Sequence, residues 1–209
     1  SPGDPARTDG SSEGERIVRE DLARFVDRTG QPGPATWEVG TFPEGREDFP
    51  VAGVSWYEAA AYAAFVGRSL PNVYQWSHAA GTWASTDVLP LSNFGDRGLA
   101  PGGRHGLGPF GTHDMAGNAK EWCWNANDRG EHYALGGSWD EPSYMFFQPD
   151  TRPSLSRDPG IGFRLAMELD ERSAPAAGEP IRWPRPDLAV PEAIPADHFA
   201  AVKRLYAYD

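Results

Sequence analysis

The chain has 209 residues, enough for one domain with a hydrophobic core plus flanking segments. A net charge of −11 with no basic stripe excludes a nucleic-acid-binding face and argues equally against an anionic membrane surface. The single cysteine excludes an internal disulfide, which suits a reducing compartment.

Residues 1–14 are polar and rich in Gly, Ser and Pro, and are expected to be disordered. They contain no apolar stretch of signal-peptide type. No run anywhere reaches the roughly 18 apolar residues of a spanning helix. A cytoplasmic location without membrane insertion is therefore expected. From Glu15 to Thr29 the residues Ile17, Val18, Leu22, Phe25 and Val26 share a helical stripe, and Gly30 stands at a C-cap position, so a helix is predicted. Pro32, Pro34, Pro43 and Pro50 make residues 31–50 a loop.

Ser55 and Glu58 have capping-box spacing ahead of an Ala-rich helix over 56–66 that Gly67 closes. Tyr62, Phe65 and Val66 share one of its faces, while Ala59, Ala60, Ala63 and Ala64 permit close approach of a neighbour. A second helix is predicted from Asn72 or Val73 to Ala80, ended by Gly81. Residues 82–111 lack periodicity and are dense in Gly and Pro, a long loop of the kind that carries function. Short strands are expected near Glu121–Trp124, His132–Leu135 and Phe163–Met167. Beyond Asp170 repeated prolines predict a linker over 171–209, with Asp197 capping a short helix through Tyr206 that leads to a further domain. The domain proper is placed at 15–170. Eight Trp, ten Phe and seven Tyr beside 24 Gly and 20 Pro point to an irregular fold held by large aromatic side chains.

Five stretches carry a family resemblance, in order: Pro50-Val51-Ala52-Gly53-Val54-Ser55-Trp56, Arg68-Ser69-Leu70-Pro71, Asp114-Met115-Ala116-Gly117-Asn118, Gly136-Gly137-Ser138-Trp139 and Gly162-Phe163-Arg164. Glu121-Trp122 follows the third at the matching distance. Over about residues 36–167 the chain resembles the formylglycine-generating enzyme (sulfatase-modifying factor) family, most of all copies fused to bacterial Ser/Thr protein kinases. The resemblance implies an α+β, irregular, loop-rich fold related to C-type lectins.

Active members of that family oxidise a substrate cysteine with copper held by two of their own cysteines, and thiolates are the ligands a soft Cu(I) ion prefers. Both lie between Gly-Gly-Ser and Gly-Phe-Arg. Here ungapped counting puts Phe146 and Thr151 near those positions, and Cys123, beside Glu121-Trp122, reads as a small buried hydrophobe. No copper is expected. The resemblance further implies a structural Ca²⁺ at the turn of Asp114, Gly117, Ala119 and Glu121, since hard oxygen donors on a tight Gly turn suit that ion. Asn93 and Phe94 match half of a second calcium site. The alternative is that Asp114 and Glu121 only accept main-chain hydrogen bonds. The histidines have no metal-ligand spacing.

The family's substrate groove lies beside the changed interval, where Trp139, Tyr144, Met145, Phe146 and Phe147 could anchor a protein or peptide ligand, or another domain of the parent chain. The same side chains could instead fill the core. The primary expectation is a non-catalytic ligand- or partner-binding module of a larger bacterial, kinase-linked protein. One alternative is an oxidoreductase with cysteine-independent chemistry, its pocket lined by Glu141, Tyr144 and Asp150. Another is a diversified lectin-like receptor.

Overall fold

The computed structural model describes residues 23–167 and positions 180, 197, 200 and 204. The expected disorder of 1–14 and most of the 171–209 linker lie outside the described residues. Asp197, Ala200 and Arg204 are helical and exposed. No described helix is long and apolar enough to cross a membrane.

Helix α1 spans Trp56–Phe65 and begins with the expected capping box: the Ser55 hydroxyl accepts from Glu58 N, and Glu58 reaches back to Ser55 N. Helix α2 spans Val73–Ala80, with Asn72 and Gln75 as the reciprocal pair and left-handed Gly81 at its end. A Cβ at Gly81 would lie 2.3 Å from the Pro109 ring, so close packing as well as φ demands glycine there. Within the expected loop, short 3-10 turns flank the one-turn helix α3, Ser85–Val88.

Four strands form one sheet: β1 Lys120–Ala126, β2 His132–Leu135, β3 Asp150–Arg152 and β4 Ile161–Phe163, in the order β3-β2-β1-β4. β1 and β2 pair antiparallel with Trp122 opposite Ala134, and β4 joins β1 in parallel. β4 thus ends where the predicted strand starts; beyond it only Ala166 bridges Ser69. β3 has no apolar alternation, and partner burial rather than pattern places it.

The sheet separates two cores. On one face Trp76, Phe94, Met115, Cys123, Tyr133 and Phe146 pack together; on the other Val54, Ala59, Ala63, Leu70, Trp122 and Ile161 do. The alternation follows from the period of two along β1 and β2. α1 docks through its alanines, which allow its backbone close to the sheet, and turns Tyr62, Phe65 and Val66 outward.

The helix predicted over 15–29 is not continued where it can be seen. Residues 23–29 form turns, and Val26 bridges Pro32. Asp27 is the physical reason: its carboxylate accepts from Thr29 N, Gln31 N and Gly40 N, offering the backbone a looped alternative to the helix.

Candidate functional site

The Asp114–Asn118 turn is tightly wound, with Asp114, Gly117 and Asn118 all at positive φ. A Cβ on Gly117 would sit 2.3 Å from the Asn93 carbonyl oxygen, so only glycine lets the two segments touch. Asn118 N donates to that carbonyl, and the Asn118 side chain is bonded to Ala100 N and Ala100 O. Asn93 Nδ2 donates to Gly98 O and Asn118 Oδ1, and Phe94 is buried in the first core.

Asp114, Ala119 and Glu121 line one cavity of about 300 Å³, together with His113, Asn118 and Arg164. Gly117 is not among its lining residues. Both oxygens of Glu121 are engaged. Arg164 donates to them in fork geometry at 2.8 and 2.7 Å, and Trp76 Nε1 adds a bond at 2.7 Å. The Asp114 carboxylate accepts from Gly103 N and His105 N. Burial works against the Arg164 charge, but Glu121, with a contribution from Asp114, outweighs it and raises the guanidinium pKa. Calcium needs free hard oxygens, and here each carboxylate already faces N–H donors while a fixed cation lies beside them. As placed, these residues do not fit a calcium ion. Among the described residues no group of three or more His, Cys, Asp or Glu side chains is arranged to hold a metal.

The interval between Gly-Gly-Ser and Gly-Phe-Arg packs against the same core as Trp76. Phe146 is 3% exposed and packs edge-on against Trp76. It belongs to the core, which corrects its inclusion among groove residues: the 3-10 turn Ser143–Phe147 points this one ring inward. Tyr144 and Phe147 are exposed, while Met145 and Trp139 are half-buried. Thr151 Oγ1 donates to Glu131, which ties it to the β2–β3 pair.

The residue that sequence reasoning missed is Lys120. Its side chain is 2% exposed, and Nζ donates to Glu141 Oε1 at 2.7 Å and Asp150 Oδ2 at 2.6 Å. Arg152 pairs with the other Asp150 oxygen, and Ser138 N holds the other Glu141 oxygen. Glu141 and Asp150 do converge, then, but onto an internal ion cluster. Lys120 opens β1, and the next three residues, Glu121, Trp122 and Cys123, are buried with it. Arg157 was also missed; it grips Glu58 with two bonds of 2.9 Å and donates to the carbonyls of Val26 and Gly33.

Cys123 is fully buried, its thiol pushed up by burial and by the nearby Glu121 charge. It lies in the Trp76 core, remote in sequence from Phe146 and Thr151, and is not poised as a thiolate.

A mixed sheet with small helices, a glycine-locked turn beside it and a Gly-Phe-Arg arginine closing on that turn define a formylglycine-generating-enzyme-like domain. The chain belongs to the sulfatase-modifying factor enzyme 1-like domain family, whose model matches residues 15–169. It is 34% identical over 96 residues to serine/threonine-protein kinase Pkn1 of Chlamydia trachomatis, covering 41% of this chain and 16% of the kinase. It is 31% identical over 117 residues to inactive C-alpha-formylglycine-generating enzyme 2 of Bos taurus, covering 44% and 39% of the two chains. With the formylglycine-generating enzyme of Mycobacterium tuberculosis it shares 30% over 165 residues, covering 65% and 53%. The chain therefore spans only part of the length of these relatives. Among solved structures, CarF has a TM-score of 0.53 at 22% identity, covering 72% of this chain and 80% of that one. PvdO from Pseudomonas aeruginosa has a TM-score of 0.52 at 20% identity, covering 58% and 63%. Both likenesses concern the fold.

Proposed function

We propose that this domain is a non-catalytic binding module of a larger bacterial, kinase-linked protein, in which the family scaffold presents a surface to a protein or peptide partner or to another domain of its parent chain. The observation that carries the reading is that the interval between Gly-Gly-Ser and Gly-Phe-Arg, where the resemblance places the family's cysteine pair, holds no cysteine. Phe146 is part of the core and Thr151 is bonded to Glu131. No thiolate pair can hold a soft metal there. The likeness to an inactive formylglycine-generating enzyme and to kinase Pkn1 supports the same reading. Tyr144 and Phe147, 62% and 49% exposed, are the anchors such a surface would use. The alternative oxidoreductase pocket gains no support from the placement of Glu141 and Asp150, since Lys120 takes up both.

Two measurements test this. Copper-loaded protein incubated with a sulfatase-type cysteine peptide should yield no aldehyde product by mass spectrometry; turnover would overturn the reading. A photo-crosslinking residue in place of Tyr144, in the full-length parent protein, should trap a peptide from a partner or a neighbouring domain. Crosslinks no more frequent than at an exposed polar control position would remove the partner surface.

A further inference from the structure

A cavity of about 440 Å³ opens on the opposite side of β1 from the Glu121 turn, where the end of α1, the start of α2 and the Ala166 bridge meet. Its lining combines Arg68, Asn72, Gln75 and Trp124 with the apolar Leu70 and Met167. Among the described residues no acidic side chain lines it.

Ser69 Oγ donates to Ala166 O and so presents lone pairs, whereas three longer side chains of the lining offer donors. The Asn72 side-chain oxygen accepts from Tyr74 N and Gln75 N, and the Gln75 oxygen accepts from Asn72 N. Capping thus uses the acceptor end of each carboxamide and leaves the NH₂ end as the group each can offer a ligand. Arg68 is exposed and makes no ion pair among the described residues; its NH1 donates only to the adjacent Gly67 carbonyl. Trp124 is backed by Trp56, with ring centroids 5.3 Å apart, and remains 37% exposed at the cavity. Trp124 N is bonded to Pro71 O, which fixes its backbone to the same wall.

A guanidinium, two amide donors and a supported indole face define the complement. We infer that this cavity binds a small carboxylate attached to a flat ring face, with Arg68 taking the carboxylate and Trp124 the ring. Guanidinium and carboxylate match in fork geometry, and the indole offers a planar apolar surface. The cavity is of the size that holds a small molecule. Aromatic carboxylic acids and uronic acids share this chemistry. The inference is independent of the partner surface at Tyr144, which lies on a different element.

The test is NMR titration of the indole N–H signals of the 209-residue chain, with Trp124 assigned through Trp124→Phe. The probes are benzoate and glucuronate, with benzamide and glucose as neutral counterparts. At least one carboxylate should shift the Trp124 signal saturably while its neutral counterpart does not, and which one does identifies the ring type. Arg68→Gln, a surface change that should leave the melting temperature unaltered, should weaken that binding by roughly tenfold or more. No saturable shift with either carboxylate, equal shifts with the neutral compounds, or unchanged affinity in Arg68→Gln would each overturn the assignment.

Discussion

Two neighbouring residues of β1 face two regions of different make-up. Glu121 points to the Asp114–Asn118 turn, and Lys120 points to Glu141 and Asp150 in the interval between Gly-Gly-Ser and Gly-Phe-Arg, which holds no cysteine. Both are buried charges, and both are fully paired: Glu121 by Arg164 and Trp76, Lys120 by Glu141 and Asp150. In the first region the motif residues hold each other in place. In the second, the interval contributes an ion cluster and a core phenylalanine. The two regions are joined as well as different, since Asn118 O of the turn accepts from Trp139 N at the start of the interval.

The sharpest way to break the comparison is at Glu121. Glu121→Ala would leave the buried Trp76 indole N–H without its acceptor and the half-buried Arg164 without its carboxylate. A loss of about 3–5 kcal/mol is expected by chemical denaturation, and Arg164→Ala should be nearly as severe. If Arg164 supplies the positive charge of this turn, excess chelator should leave the wild-type melting temperature unchanged. A fall in chelator that calcium restores would show that an ion binds the folded state, and the turn would then be a calcium site after all. In the changed interval the expected effect is slightly smaller. Phe146→Ala should cost about 3 kcal/mol as a core cavity, and Tyr144→Ala under about 0.5 kcal/mol as a surface change. A large loss for both would make Tyr144 structural and remove it from any binding surface.

These regions also differ in how much of them the sequence made legible. The capped helices were readable because Ser55 with Glu58 and Asn72 with Gln75 satisfy local rules. The five motifs conveyed the family and hence the fold class. They did not convey Lys120, because its partners are 21 and 30 residues away and only the sheet brings them together. Nor could they place Phe146: an aromatic run in a 3-10 turn carries no periodicity that separates the one inward ring from its exposed neighbours. The helix expected at 15–29 failed over its described part because the stripe was counted without the side chain of Asp27, whose hydrogen bonds compete with helix. Tyr62, Phe65 and Val66 share a face, as periodicity says, but which face turns inward was settled by the small size of Ala59 and Ala63.

A pH dependence is expected at the start of β2. His132 opens β2, stacks on Trp56 at 3.8 Å between centroids, and its Nδ1 contacts Ser154 Oγ at 2.9 Å. Burial disfavours the imidazolium and lowers the pKa from 6.5 to about 4. The unfolded chain therefore binds a proton between those values that the folded chain does not. Stability follows proton uptake: it is fully present above pH 6.5, falls as pH drops towards 4, and changes no further from this group below that. The loss across the window should be about 2–3 kcal/mol. Urea denaturation followed by tryptophan fluorescence at pH 7 and pH 5 measures it, with His132→Phe as the comparison because it keeps a ring on Trp56 but cannot be protonated. Carboxylates titrate in the same range, so the informative quantity is the difference between the two slopes. The wild type should lose more stability than His132→Phe on acidification. Parallel slopes would mean that the imidazole is protonated in the folded state, with enough solvent access to carry its charge beside Trp56.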